Sequence, residues 1–248
     1  MRSYEVSDTH ILRIAEAMQR LDIPEEEKKA KTLEGYMTAV IDRNRAVNLT
    51  AITDPEEFVE KHYIDSLSVA SLEEFGGAKT VIDLGTGAGF PGVPLAVAFP
   101  EKEFLLADSL NKRIEVVQEF CRDLEIRNVR AIHGRAEDLG RREDLREHFD
   151  ICISRAVADL SVLAEYCLPF VKVGGWFISY KGPSCEEEVR EAEHAIGQLG
   201  GVVEKIVKPD QNAGSGHKLV LIRKKESTPP AYPRRPGKPA KSPLRASK

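Results

Sequence analysis

The stretch VIDLGTGAGFPG, residues 81–92, passes from a short apolar run into a turn carrying Gly85, Gly87 and Gly89. An apolar run that stops at a glycine-rich turn reads as a buried strand with a ligand crevice at its carboxyl end. Glycine there permits positive φ and lets a ligand approach the backbone with no Cβ in the way. Outward from this point strands alternate with helices, the pattern of a parallel sheet. The expected strands are TVIDLG (80–85), FLLADS (104–109), VRAIHG (129–134), FDICIS (149–154) and WFISYKG (176–182). Between them the expected helices are PGVPLAVAF (91–99), NKRIEVVQEFCRDL (111–124), a short REDLREHF (142–149) and DLSVLAEYCLPFV (159–171).

A charged helix near 186–199 follows, then the strand VVEKIVK (202–208), the loop PDQNAGSGH (209–217) and the strand KLVLIRK (218–224). Those last two strands are close enough to pair antiparallel. Upstream only helices are expected, one through Ile11, Ile14, Met18 and Leu21 and one through Ala30, Leu33, Met37, Val40 and Ile41. A third opens at Asp54-Pro55, with Asp54 as N-cap and Pro55 where its missing N–H costs nothing. The fold class is α/β, a Rossmann-like and mostly parallel sheet with a C-terminal antiparallel hairpin behind an N-terminal helical extension. The expected division is 1–75 for the extension, 76–225 for the sheet domain and 226–248 for a tail.

No apolar run reaches the roughly 18 residues that span a bilayer, and the opening MRSYEVSDTH has neither a basic leader nor an apolar signal core. A cytoplasmic protein with no membrane partner is expected. Cys121, Cys152, Cys167 and Cys185 are scattered without metal-ligand spacing, so neither structural zinc nor a disulfide framework is expected. The net charge of −4 hides an asymmetry, because nine Lys or Arg stand against Glu226 from Arg223 to Lys248, leaving −12 on the body. The tail STPPAYPRRPGKPAKSPLRASK is rich in proline and expected to be extended. Its Arg234, Arg235, Lys238 and Lys241 are candidates for binding RNA phosphates by counterion release, against the alternative of a solubilising end.

The glycine turn fits two ligands. Gly87, Gly89 and Gly92 match G-x-G-x-x-G, which favours a nicotinamide dinucleotide and an oxidoreductase. Asp83 two residues before Gly85 gives D-x-G-x-G-x-G, which resembles the first motif of class I S-adenosylmethionine-dependent methyltransferases, and a carboxylate there would repel a pyrophosphate. Asp108, at the end of the second strand, is placed for ribose hydroxyls in either case. Ala136 and Glu137, after the third strand, match the position that meets adenine in methyltransferases. The alternative is that Glu137 or Asp138 caps the next short helix.

The segment after strand four reads SRAVADL. It is neither the [DNS]-P-P-[YF] of amino methylation nor a proline-cysteine pair for carbon-5 methylation. A ring nitrogen such as guanine N7 has a free lone pair and needs in-line placement rather than a strong base. Arg155 is the candidate to position the target phosphate or guanine edge, or else it forms a salt bridge with Asp150 or Asp159.

NRAVNLTAITDPEEFVEKHYIDSL, VIDLGTGAGFPGVPLA, DSLNKR, Ala136-Glu137, SRAVADL and YPRRPGKPAKSPL together resemble the RsmG family, also called glucose-inhibited division protein B, over about residues 44–244. The resemblance implies a 16S rRNA guanine-N7 methyltransferase that uses S-adenosyl-L-methionine. It implies Gly85, Phe90, Ala136, Glu137 and Arg155 as cofactor contacts, alongside the motif positions Asp83, Gly87, Gly89 and Asp108. The implied partner is small-subunit ribosomal RNA, free or in an assembled or partly assembled particle. YPRRPGKP is similar to a family ending whose basic residues and prolines lie near the active-site face, which implies a partly ordered tail. Asn48, Thr50, His62, Asp65 and Ser66 resemble the family's N-terminal signature, with His62 bonded to Asp65 or a backbone group as the plainer reading. Lys181, at the same sheet edge, is expected to bind RNA phosphate or to be solvated. The rival functions are methylation of another RNA or a small molecule, the oxidoreductase, and a noncatalytic RNA-binding module.

Overall fold

A computed structural model describes residues 7–24, 27–156, 158–209 and 216–246. The extension begins with helices α1 (Asp8–Arg20) and α2 (Glu27–Asn44). Helix α3 (Pro55–Phe58) opens as expected, with Asp54 accepting from the Glu57 N–H. It does not continue as a regular α-helix. Val59–Ile64 is π-helical, followed by α4 (Asp65–Leu67), a 3₁₀ turn (Ser68–Ser71) and α5 (Glu73–Gly76).

The sheet then alternates as β1 (Thr80–Leu84), α6 (Gly92–Ala98), β2 (Glu103–Asp108), α7 (Asn111–Asp123) and β3 (Val129–His133). It proceeds through α8 (Ala136–Leu139), β4 (Phe149–Ser154), α9 (Leu160–Cys167) and β5 (Val171–Lys181). It ends with α10 (Glu186–Gln198), β6 (Gly201–Val207) and β7 (Lys218–Lys224). Among the described residues, seven strands lie in the order β3-β2-β1-β4-β5-β7-β6, with β7 antiparallel to both of its neighbours. The loop expected between β6 and β7 lies mostly outside the described residues.

Alternation along the strands divides the interior into two layers. Val81, Leu106, Ile151, Ile153, Ile178 and Leu221 face one side and share a core with Ile14, Met18, Leu33 and Met37 of the extension. Ile82, Leu105, Cys152, Phe177 and Val220 face the other and pack with Leu163, Val189 and Ile196. The extension therefore covers one face of the sheet. All four cysteines are buried and unpaired. Among the described residues no helix is long and apolar enough to cross a membrane.

Two expectations are corrected. REDLREHF forms turns, and the short helix is α8 just before it. Arg142 closes on the nearby Asp144, Glu147 has φ +55°, and Arg146 donates to the carbonyls of Gly140, Thr228 and Tyr232, all of which compete with helix. The tail is not a free extended arm. Thr228 is buried, its hydroxyl donating to the Leu199 carbonyl, and Lys224 is fully buried with its amine donating to Leu168 O. Further on, the short helix α11 (Lys238–Lys241) packs against α9.

Candidate cofactor and substrate site

A cavity of about 360 Å³ opens at the carboxyl ends of β1, β2 and β4, where the strand order reverses direction. Leu84, Gly85, Asp108, Ala136, Glu137 and Tyr166 contribute to its lining, as do Gly237 and Ala240 of the tail. The glycine turn is held from below. Gly85 N–H donates to Ala107 O at 2.8 Å, and Gly87 N–H donates to Asp108 Oδ2 at 2.9 Å. With φ at +78°, Gly85 presents bare backbone to the cavity. Asp108 Oδ1 accepts from Leu110 N–H at 2.8 Å, which fixes the carboxylate at the rim.

Asp83 is fully buried behind this turn. Its Oδ2 accepts from Thr86 Oγ1 at 2.6 Å and Gly92 N–H at 2.9 Å, while Oδ1 has no partner among the described residues. Burial pushes its pKa up to about 6, against the two hydrogen bonds that lower it. Asp83 thus orders the turn rather than lining the cavity.

Beside the cavity, between the lining residues Ser154 and Ala156, Arg155 reaches back to the extension. Its guanidinium donates to Asp65 Oδ2 at 2.8 Å, to Lys61 O at 3.0 Å and to His62 Nδ1 at 3.2 Å. His62 Nε2 meets Thr50 Oγ1 at 2.8 Å. An Nδ1 that accepts from Arg155 leaves the proton on Nε2, so the ring is the neutral Nε2–H tautomer. Burial and the Arg155 charge lower its pKa to about 3. His217 Nδ1 is 2.7 Å from Asp65 Oδ1, and the His62 ring stacks on Phe90 at 4.5 Å.

The model of the family described as rRNA small subunit methyltransferase G matches residues 29–217. That is well over half of the sequence. The chain belongs to this family. A ribosomal RNA small subunit methyltransferase G of Clostridium tetani is 42% identical over 221 residues, spanning 89% of this chain and 92% of that protein. One of Alkaliphilus metalliredigens is 44% identical over 235 residues, spanning 94% and 98%. Among solved structures, an O-methyltransferase from Bacillus cereus in complex with SAH aligns at TM-score 0.56 and 15% identity, covering 85% of this chain and 97% of that one. The likeness shows a shared class I methyltransferase fold.

The expected site residues of the chain do not all meet. Gly85, Asp108, Ala136 and Glu137 meet at the cavity. Gly89 and Phe90 turn away from it, toward the extension, where Phe90 packs against Tyr36, Phe58 and Tyr63. Arg155 pairs with Asp65 rather than with Asp150 or Asp159. Asp150 instead accepts from the Lys79 and Thr80 N–H groups and pairs with Lys172, and Asp159 caps α9. The two ring nitrogens of His62 are engaged by Arg155 and Thr50. The Ser66 carbonyl accepts from Tyr180, and its buried hydroxyl has no partner among the described residues.

Two basic positions are corrected. Lys181 is neither solvated nor turned outward, because its amine donates to Ala158 O and Glu188 Oε1, each at 2.6 Å, in a buried setting. Arg234 is held by the buried Glu165, with Nε to Oε1 at 2.9 Å and an η nitrogen to Oε2 at 2.6 Å. Glu137 lines the cavity, and its Oε1 accepts from Gly237 N–H at 2.8 Å rather than capping α8. Arg235, Lys238 and Lys241 are exposed. Glu165, Tyr166 and His217 carry no sequence signal, because Glu165 and His217 act through Arg234 and Asp65, 69 and 152 residues away, and Tyr166 through the cavity that it lines.

Proposed function

We propose that this protein transfers a methyl group from S-adenosyl-L-methionine to N7 of a guanine in small-subunit ribosomal RNA. The single observation that carries the reading is the cavity at the strand reversal, with bare backbone at Gly85, a fixed carboxylate at Asp108 and an apolar wall at Ala136 and Tyr166. These residues fit an adenosyl group, with Asp108 toward ribose hydroxyls and the wall toward the base, in a volume within the range of small-molecule sites. The buried carboxylate of Asp83 behind the glycine turn disfavours a dinucleotide pyrophosphate in the same place. S-adenosylmethionine supplies a methyl carbon made electrophilic by the attached sulfonium.

The chain's own residues then have a positioning task. Guanine N7 keeps its lone pair in plane and loses no proton, so placement about 3–3.5 Å from the methyl carbon is the main requirement. His62, neutral and stacked on Phe90, and Arg155, pinned by Asp65, form a fixed platform beside the cavity that supports such placement without a base. Arg235, Lys238 and Lys241 are suited to phosphates at the cavity mouth.

The test combines calorimetry with S-adenosylmethionine and NAD and tritiated-methyl transfer to free 16S RNA and to small-subunit particles, followed by mass mapping of the modified guanines. Binding of S-adenosylmethionine and one modified guanine is expected. Tight NAD binding would favour the oxidoreductase reading, and cofactor binding without transfer to either RNA form would leave another substrate or a noncatalytic module.

A further inference from the structure

We infer that the segment from Thr228 to Lys241 is a wall of the cofactor cavity, and that Arg234 and Glu165 are positioning residues that latch it there. The inference rests on the cavity being the S-adenosylmethionine site. Two of its lining residues, Gly237 and Ala240, belong to this segment. Gly237 is joined to the body by its N–H to Glu137 Oε1, and Glu137 itself lines the cavity. The segment buries Thr228, Pro233 and Pro239 and packs Tyr232 on the core, and specific polar bonds fix the stretch that reaches the cavity.

Those bonds are concentrated at Arg234. Its backbone N–H and its Nε both donate to Glu165 Oε1, at 2.7 and 2.9 Å, and the η nitrogen completes the fork on Oε2. Glu165 is 1% exposed on α9, so the pair is shielded from solvent on the acid's side. Charge-assisted bidentate pairs of this kind fix geometry as well as affinity. On the other side of the segment, Arg141 and Arg146 donate to the carbonyls of Pro233, Tyr232 and Thr228. Neither Arg234 nor Glu165 lines the cavity, so any effect on the cofactor passes through Gly237 and Ala240.

Docking and cofactor binding are then linked equilibria. Apparent affinity scales with the fraction of molecules whose wall is in place, so a variant docked one tenth of the time binds about tenfold more weakly. By reciprocity the cofactor must hold the segment down by the same factor.

Calorimetry with S-adenosylmethionine on the full chain, without RNA, tests this together with hydrogen exchange at Gly237 and Lys238. Arg234→Gln is expected to weaken binding by about tenfold or more and to speed exchange at those amides. Arg234→Lys should fall in between, and Arg234→Gln/Glu165→Gln, which leaves no lone buried charge, should be no weaker than Arg234→Gln alone. In the wild type, S-adenosylmethionine should slow the exchange. Folded variants, the double variant included, with affinity within twofold of wild type would overturn the latch while leaving the cofactor site intact. A wild-type chain that does not bind S-adenosylmethionine would instead remove the functional reading, and the inference with it.

Discussion

A Cβ on Gly89 would stand 2.4 Å from the Tyr36 hydroxyl oxygen and 2.7 Å from Val93 Cγ2, at a backbone φ of +91°. Tyr36 is fully buried and donates to Ala88 O at 2.8 Å, so it has no room to retreat. The third glycine of the turn therefore seats the turn on α2, and its requirement is steric. Gly89→Ala is expected to cost about 3 kcal/mol or more, the sum of backbone strain and overpacking, read as a lower urea midpoint with unchanged slope. The spacing D-x-G-x-G-x-G locates the turn because strand, acid and glycines are adjacent in the chain. It cannot say which glycine faces a ligand, since Tyr36 approaches from 53 residues upstream of Gly89. The role of Glu137 is hidden from the sequence for a similar reason, its partner Gly237 lying 100 residues on.

At the scale of elements, the π-helical turn Val59–Ile64 carries His62 into a crowded polar cluster. Its pKa falls from the ordinary 6.5 to about 3, mainly through burial and then through the Arg155 charge. Between pH 6.5 and about 3 the unfolded chain binds a proton at this histidine that the folded chain does not. Stability should therefore decline as pH falls through that window, with nothing from this group lost above pH 6.5. His62→Gln, which keeps polar atoms near Arg155 and Thr50, should flatten that part of a stability profile measured by urea unfolding from pH 7 to 4. A profile as steep as wild type would assign the decline to other groups. The start of α3 is legible because Asp54 and Pro55 are local signals, whereas the π turn answers to Phe90 and Arg155. REDLREHF has helical composition, but Arg142 closes on Asp144 two residues on and Arg146 bonds carbonyls outside the segment.

Across the whole molecule, the positive charge counted at the C-terminal end is not all available to RNA. Arg223 lies over the Trp176 ring, Lys224 is buried, Lys225 pairs with Glu204 and Arg234 pairs with Glu165. Arg235, Lys238 and Lys241 remain exposed. Replacing those three by Gln should reduce the slope of log affinity against log salt by about 0.7 for each phosphate no longer neutralised, or about 2 in all on a single strand. Arg234→Gln should leave the slope nearly unchanged. Filter binding to 16S RNA over a salt series separates them, and equal slopes for both variants would remove the exposed residues from the phosphate interface.

Among the described residues the sheet has β3 at one border and β6 at the other. An uncovered border is a template for a neighbouring molecule's backbone, the usual start of aggregation. Here β3 carries exposed Arg130 and His133. On the other border, β6 is interrupted by a register shift between Val203 and Lys205, with Glu204 paired to Lys225 and Lys205 paired to Glu74. A bulged, charged border cannot align with a flat copy of itself, so the strand order that places the cavity also leaves each border poorly suited to recruiting another molecule.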